Sequence, residues 1–141
     1  MPSDNVSLTF TYLASPEIVF GAWINEDLIH KWMFVGPTSE IVNVDIDLKV
    51  QGKFSILELE KSNNEYIDHY GQYVEINRPH KLVFTLFVPK HFSGESVVTI
   101  EISKTESGSE LKLLQTGVSK DVTEDSWRKM LGQLKLTLEN Q

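Results

Sequence analysis

Apolar and polar residues alternate along most of this chain, and the period changes near its end. Between residues 123 and 138, Trp127, Met130, Leu131, Leu134 and Leu138 recur at helical spacing. At 100° per residue they fall in a stripe roughly 100° wide, as expected of a helix packed on a sheet. Almost everything between residues 40 and 116 keeps the two-residue period of strands. The predicted order is one strand, two short helices, a long run of strands and one closing helix. That order implies a curved sheet wrapped around a helix, with room for a pocket between them.

Residues 6–13 place Val6, Leu8, Phe10 and Tyr12 on one strand face and Ser7, Thr9 and Thr11 on the other. Ser15-Pro16-Glu17 opens a helix, with Ser as N-cap, Pro in the first turn and an acid at the positive end of the dipole. Asn25-Glu26-Asp27 repeats that opening, and Gly36-Pro37 stops the second helix. Residues 41–49 set Val42, Val44, Ile46 and Leu48 against Asn43, Asp45, Asp47 and Lys49. Residues 53–60 are less regular, with Phe54 and Ile56 on one face and Leu57 and Leu59 on the other, which predicts a bulge or burial on both faces. Strands follow at 66–76, 81–88, 97–104 and 110–116, joined by turns too short for parallel crossovers, so the pairing is antiparallel. The last helix is expected to begin near Asp121, with Glu124 completing a capping-box-like pair.

At 141 residues the chain makes one domain, residues 1–141, with no repeats, linkers or low-complexity tracts. A net charge of −7 and the absence of any Lys/Arg cluster argue against nucleic acid and against docking on anionic membranes. There is no cysteine, which removes disulfides, thiolate catalysis and Cys-based metal sites. The opening residues carry no basic segment followed by an apolar stretch, and no run approaches the roughly eighteen apolar residues that span a bilayer. A soluble cytoplasmic protein is expected, as monomer or homodimer.

Several words at fixed places carry a resemblance. They are Ser15 to Trp23, Lys31-Trp32, Gly36-Pro37, Val44 to Phe54, His69 to Ile76, Arg78 to Thr85, and the closing Trp127 with Leu131 to Leu138. In order and spacing the chain resembles the homologues of the activator of the ninety-kilodalton heat-shock chaperone ATPase, of the START-like (SRPBCC) superfamily. The resemblance implies an α+β helix-grip fold: a seven-stranded antiparallel sheet gripping the C-terminal helix, with two small helices closing one end. It also implies apolar ligands such as lipids, sterols or polyketides, a chaperone as protein partner, or cyclase and aromatase chemistry. The family often has two glycines where this chain has Gln51-Gly52, so a side chain enters that turn.

Ten residues are candidates for the pocket lining: Trp32, Phe54, Tyr70, Phe84, Leu86, Gln115, Trp127, Met130, Leu131 and Leu134. Either they enclose an apolar cavity with a few orienting polar groups, or they fill a closed core. Of the four histidines, His69 sits mid-strand beside Asp68, which must point to the opposite face. Asp45 with Asp47, and Glu58 with Glu60, share strand faces and are read as solvated outer faces. No nucleophile elbow, phosphate loop or metal-ligand spacing occurs. The sequence therefore points to a binding domain without evident catalysis, cofactor or metal.

Overall fold

The computed structural model describes residues 5–91 and 93–139. Strand β1 (Val6–Tyr12) leads into helices α1 (Pro16–Gly21) and α2 (Glu26–Trp32). Strands β2 (Ser39–Ile46), β3 (Lys53–Glu60), β4 (Glu65–Asn77), β5 (Lys81–Leu86), β6 (Ser96–Lys104) and β7 (Ser109–Thr116) follow, and helix α3 (Lys120–Glu139) closes the chain. The seven strands form one curved antiparallel sheet in the order β1-β7-β6-β5-β4-β3-β2. Sequential hairpins build it, and β1 closes the far edge against β7. This is the expected helix-grip architecture.

Local chemistry explains the helices at the start. Ser15 Oγ accepts from the Ile18 N–H, and Asn25 Oδ1 accepts from the Leu28 N–H, so both caps satisfy donors the short helices leave free. Helix α3 starts at Lys120, so Asp121 stands inside the first turn rather than at the cap. It buries Trp127, Met130, Leu131, Leu134 and Leu138, the stripe seen in the sequence.

Strand irregularities change which residues face the core, among them a bulge in β4 between Tyr73 and Glu75. A bulge between Ile41 and Asn43 makes Val42 the extra residue, so Ile41 is buried and Val42 is exposed. Leu48 lies beyond the end of β2 and is also exposed. The less regular β3 pairs with β4 without a break, from Lys53 opposite Gln72 to Glu60 opposite Glu65. Its apolar residues are instead buried on one face and half-buried on the other. The turn before β3 holds Gln51 at φ 70°, a left-handed conformation that glycine would adopt more readily.

Gly71 tests the sheet at its tightest point. A Cβ there would overlap the Thr85 carbonyl of β5, whereas a Cβ at Gly132 in α3 meets nothing within 4 Å. Gly71→Ala is expected to lose about 1–3 kcal/mol from overpacking. Gly132→Ala is expected to gain about 0.5–1 kcal/mol by restricting the unfolded chain. Urea denaturation of the two variants checks both signs.

Candidate functional site

A cleft of about 440 Å³ lies under the N-terminal half of α3. Its roof is the helix, with Val122, Thr123, Ser126, Trp127, Lys129 and Met130. Its floor is the inner sheet face, with Glu58 of β3, His69 of β4, Leu86 of β5 and Gln115 of β7. The segment Phe34-Val35-Gly36 after α2 closes one end, and Val88 and His91 after β5 stand at another. Small side chains at Thr123 and Ser126 leave the roof thin where Leu131 and Leu134, one or two turns later, pack fully into the core.

The helix is tied to the floor by a buried relay. Trp127 Nε1–H donates to Gln115 Oε1 at 2.7 Å, Gln115 Nε2 donates to Ser96 Oγ at 2.9 Å, and Ser96 Oγ donates to the Leu86 carbonyl at 2.8 Å. Tryptophan can only donate, which fixes the amide orientation and then every later proton in the chain. Gln115 is thus held at both its carbonyl and its amide by the protein.

The other polar end of the floor is different. Ile56 and His69 are directly opposite across β3 and β4, and Glu58 is two residues beyond Ile56 on the same face. His69 is buried, and its Nδ1 lies 3.2 Å from the Ile56 carbonyl, so Nδ1 carries the proton and donates. Its Nε2 then presents a lone pair, 3.6 Å from Glu58 Oε1 and beyond hydrogen-bond reach. Burial chiefly depresses the His69 pKa, from 6.5 to about 4, with the charge of His91 adding to the effect and the Ile56 carbonyl opposing it. His69 is therefore neutral at pH 7, and the short separation is not an ion pair there. Burial also raises the pKa of Glu58, against a hydrogen bond from Ser39 and the charge of His91. The Phe34 ring stacks on the imidazole with centroids 3.8 Å apart and planes 12° apart. Phe34 reaches that position with φ at 58°, uncommon for a bulky residue, and its N–H points at Met130 Sδ at 3.0 Å.

Of the ten residues singled out in the sequence, Leu86, Gln115, Trp127 and Met130 line the cleft. Phe54 and Phe84 line a void of about 20 Å³ that shares Phe34 with the cleft and also borders Trp23. Trp23 Nε1 is buried without a hydrogen-bond partner. Trp32 is fully buried and donates to the Ala22 carbonyl at 3.0 Å, and Leu131 and Leu134 are core. Tyr70 is on the other side of the sheet, 38% exposed and stacked on Phe87, because His69 next to it takes the inner face. The reading of Glu58 as part of a solvated outer face is likewise reversed, since β3 continues unbroken past Ile56 and carries Glu58 inward. Strand alternation from Phe54 through Ile56 to Glu58 was the signal that could have found it. Phe34 and His91, in loops, had no such signal. Among the described residues no three side chains of metal-ligand type come together, and no helix is long and apolar enough to cross a membrane.

Residues 13–139 match the family described as Activator of Hsp90 ATPase homolog 1-like protein. The chain belongs to that family. The fold recurs in the crystal structure of a Chromobacterium violaceum protein, 20% identical, covering 98% of this chain and 99% of the other at a TM-score of 0.86. A Rhodobacter sphaeroides protein is 15% identical, with 100% and 97% covered and a TM-score of 0.87. The solution structure of an AHSA1-like protein from Aeromonas hydrophila is 17% identical, with 97% and 93% covered and a TM-score of 0.83. At these identities the likeness is one of fold. No curated protein matches the chain in sequence. Family members share the grip, so what distinguishes this one is the side chains just described.

The depressed His69 pKa has a consequence for stability. The unfolded chain binds a proton at this residue near pH 6.5 and the folded chain only near pH 4. The stability it contributes is whole above pH 6.5 and is lost as pH falls toward 4, on the order of 3 kcal/mol. Glu58, raised by burial, acts with the opposite sign, its contribution fading as pH climbs above 4.5. Melting temperatures of the wild type and His69→Gln between pH 7 and pH 4.5 should show a shallower decline in the variant. Parallel declines would contradict the assignment.

Proposed function

We propose that this protein binds a small apolar or amphipathic ligand in the cleft beneath α3. The observation that carries the reading is the cleft itself. About 440 Å³ of space, walled by Phe34, Leu86, Val88, Trp127 and Met130 with a few polar groups at one end, is the kind of site that takes an organic molecule. A packed domain of this size ordinarily leaves only voids near the size of a water molecule. The relay through Gln115 ties α3 to the sheet beside the cleft, which supports the reading of a site held in shape by the scaffold.

Nile red, a neutral dye that brightens in apolar surroundings, is expected to bind saturably with one site per chain. Ser126 is exposed on α3 and borders the cleft, so Ser126→Trp fills the space without disturbing the core. The variant should bind at least about tenfold more weakly, roughly 1.4 kcal/mol, with its melting temperature unchanged. Absence of saturable binding in the wild type, or equal binding by the variant, would remove the reading.

A second reading, interaction with a chaperone or another protein partner, is favoured by one observation. The outer face of β4 exposes Tyr66, Tyr70 and Val74, with Asp68 and Gln72 between them, and Phe87 stacks on Tyr70 with centroids 5.3 Å apart. Addition of the protein should then change the ATPase rate of an Hsp90-type chaperone, and Tyr70→Glu should abolish the change. A rate unmoved by the wild type would end this reading.

A further inference from the structure

The polar groups of the cleft divide into those the protein uses and those it leaves open. Gln115 spends its carbonyl on Trp127 and its amide on Ser96. Lys129 is in water and paired with Asp125 at 3.3 Å. Ser119, Thr123, Ser126 and His91 border the cleft from its wetter side, whereas His69 Nε2 and Glu58 Oε1 lie 3.6 Å apart on the floor, with side chains only 4% and 13% exposed. With the Nδ1 proton committed to Ile56, Nε2 can only accept. An ionised Glu58 can only accept as well. A protonated Glu58 could donate to Nε2, but the two atoms are too far apart for that bond.

Two acceptors facing one point in a half-buried site lack a shared donor. A single nitrogen carrying two or more hydrogens can sit within hydrogen-bond distance of both atoms at once, and a hydroxyl can satisfy only one. The rings of Phe34 and Trp127, with centroids 6.0 Å apart, border the same cleft and supply apolar walls for the body of such a molecule. The overall charge of −7 attracts cations to the mouth. His91 at the rim and Lys129 on the roof oppose a cation, but both are exposed and screened by water.

We propose that the cleft selects an amphipathic primary amine, with its nitrogen bridging His69 Nε2 and Glu58 Oε1 and its apolar body lying between Phe34, Trp127 and Met130. This rests on the reading of the cleft as a ligand site and names the chemical class of that ligand. Glu58 supplies the charge that distinguishes an ammonium from a neutral donor. His69 supplies the second acceptor, oriented by Ile56 on one side and by the stacked Phe34 ring above it.

The test compares four molecules that share one naphthyl body: naphthylmethylamine, naphthylmethanol, methylnaphthalene and naphthoate. Each is titrated by displacement of Nile red at pH 7. The expected order of affinity is amine, alcohol, hydrocarbon, carboxylate, with the amine at least about tenfold tighter than the hydrocarbon. Glu58→Gln keeps the volume and removes the charge. In that variant the advantage of the amine should fall to within about threefold, while methylnaphthalene binds as before. His69→Gln provides a second variant and should reduce the advantage in the same direction. Equal binding of amine and hydrocarbon by the wild type would overturn the inference while leaving the cleft a ligand site, as would an amine preference that survives Glu58→Gln. Failure of all four molecules to displace the dye, or of the dye to bind, would overturn the ligand-site reading and this inference with it.

Discussion

The structure depends on how the last helix is held over the sheet. The hydrogen-bond relay from Trp127 through Gln115 and Ser96 to the Leu86 carbonyl runs from α3 across β7, β6 and β5, three neighbouring strands. The indole N–H, one Gln115 amide N–H and the Ser96 hydroxyl each meet an acceptor, and because tryptophan can only donate, the direction of the chain is fixed. In surroundings this buried, an unpaired indole N–H costs about 1–3 kcal/mol, so the relay fixes the height and rotation of α3 as well as holding it. A second tie lies one turn further along, where the Tyr12 hydroxyl of β1 donates to the Leu131 carbonyl at 3.1 Å. Burial pushes the Tyr12 pKa up, so the phenol keeps the proton it donates.

Those two ties divide the helix into unequal halves. Beyond Tyr12 the residues Leu131, Leu134 and Leu138 face the sheet with no space to spare, and hydrophobic burial holds that half. Before Trp127 the roof presents Thr123 and Ser126, too small to reach the floor. The cleft is therefore a consequence of side-chain size along one helix, with the polar relay keeping the roof from settling into the gap. Phe34 completes the enclosure from the loop after α2, and its left-handed backbone is the local strain that puts its ring on His69.

The fold was legible because its signals are periodic. The helical stripe of residues 127–138, the caps at Ser15 and Asn25, and the alternation in β1, β6 and β7 all specify one arrangement. The site was legible only where it sits on such elements, at Leu86, Gln115, Trp127 and Met130. A strand face is a binary choice, and one displaced residue reverses it. Tyr70 was expected in the lining, but the burial of His69, Gly71 and Tyr73 puts that set of β4 residues inside and Tyr70 outside. Val42 was misplaced by a bulge that no residue type announces. Phe34 and His91 enter the site through loop geometry, which has no period to read.

Burial alone does not separate a structural polar group from one available to a ligand. Gln115 and His69 are both almost wholly buried, and both border the cleft. Gln115 has its carbonyl and one amide N–H answered within the protein, and both bonds belong to the relay that ties α3 to the sheet. His69 has one nitrogen answered by Ile56, and the other faces a carboxylate that cannot answer it while ionised. Using His69 and Glu58 costs the fold nothing, because neither holds α3 in place. On the proposed reading of the cleft, the chemistry that distinguishes one ligand from another belongs at the β3–β4 end of the floor. The β7 end, although polar, serves the scaffold.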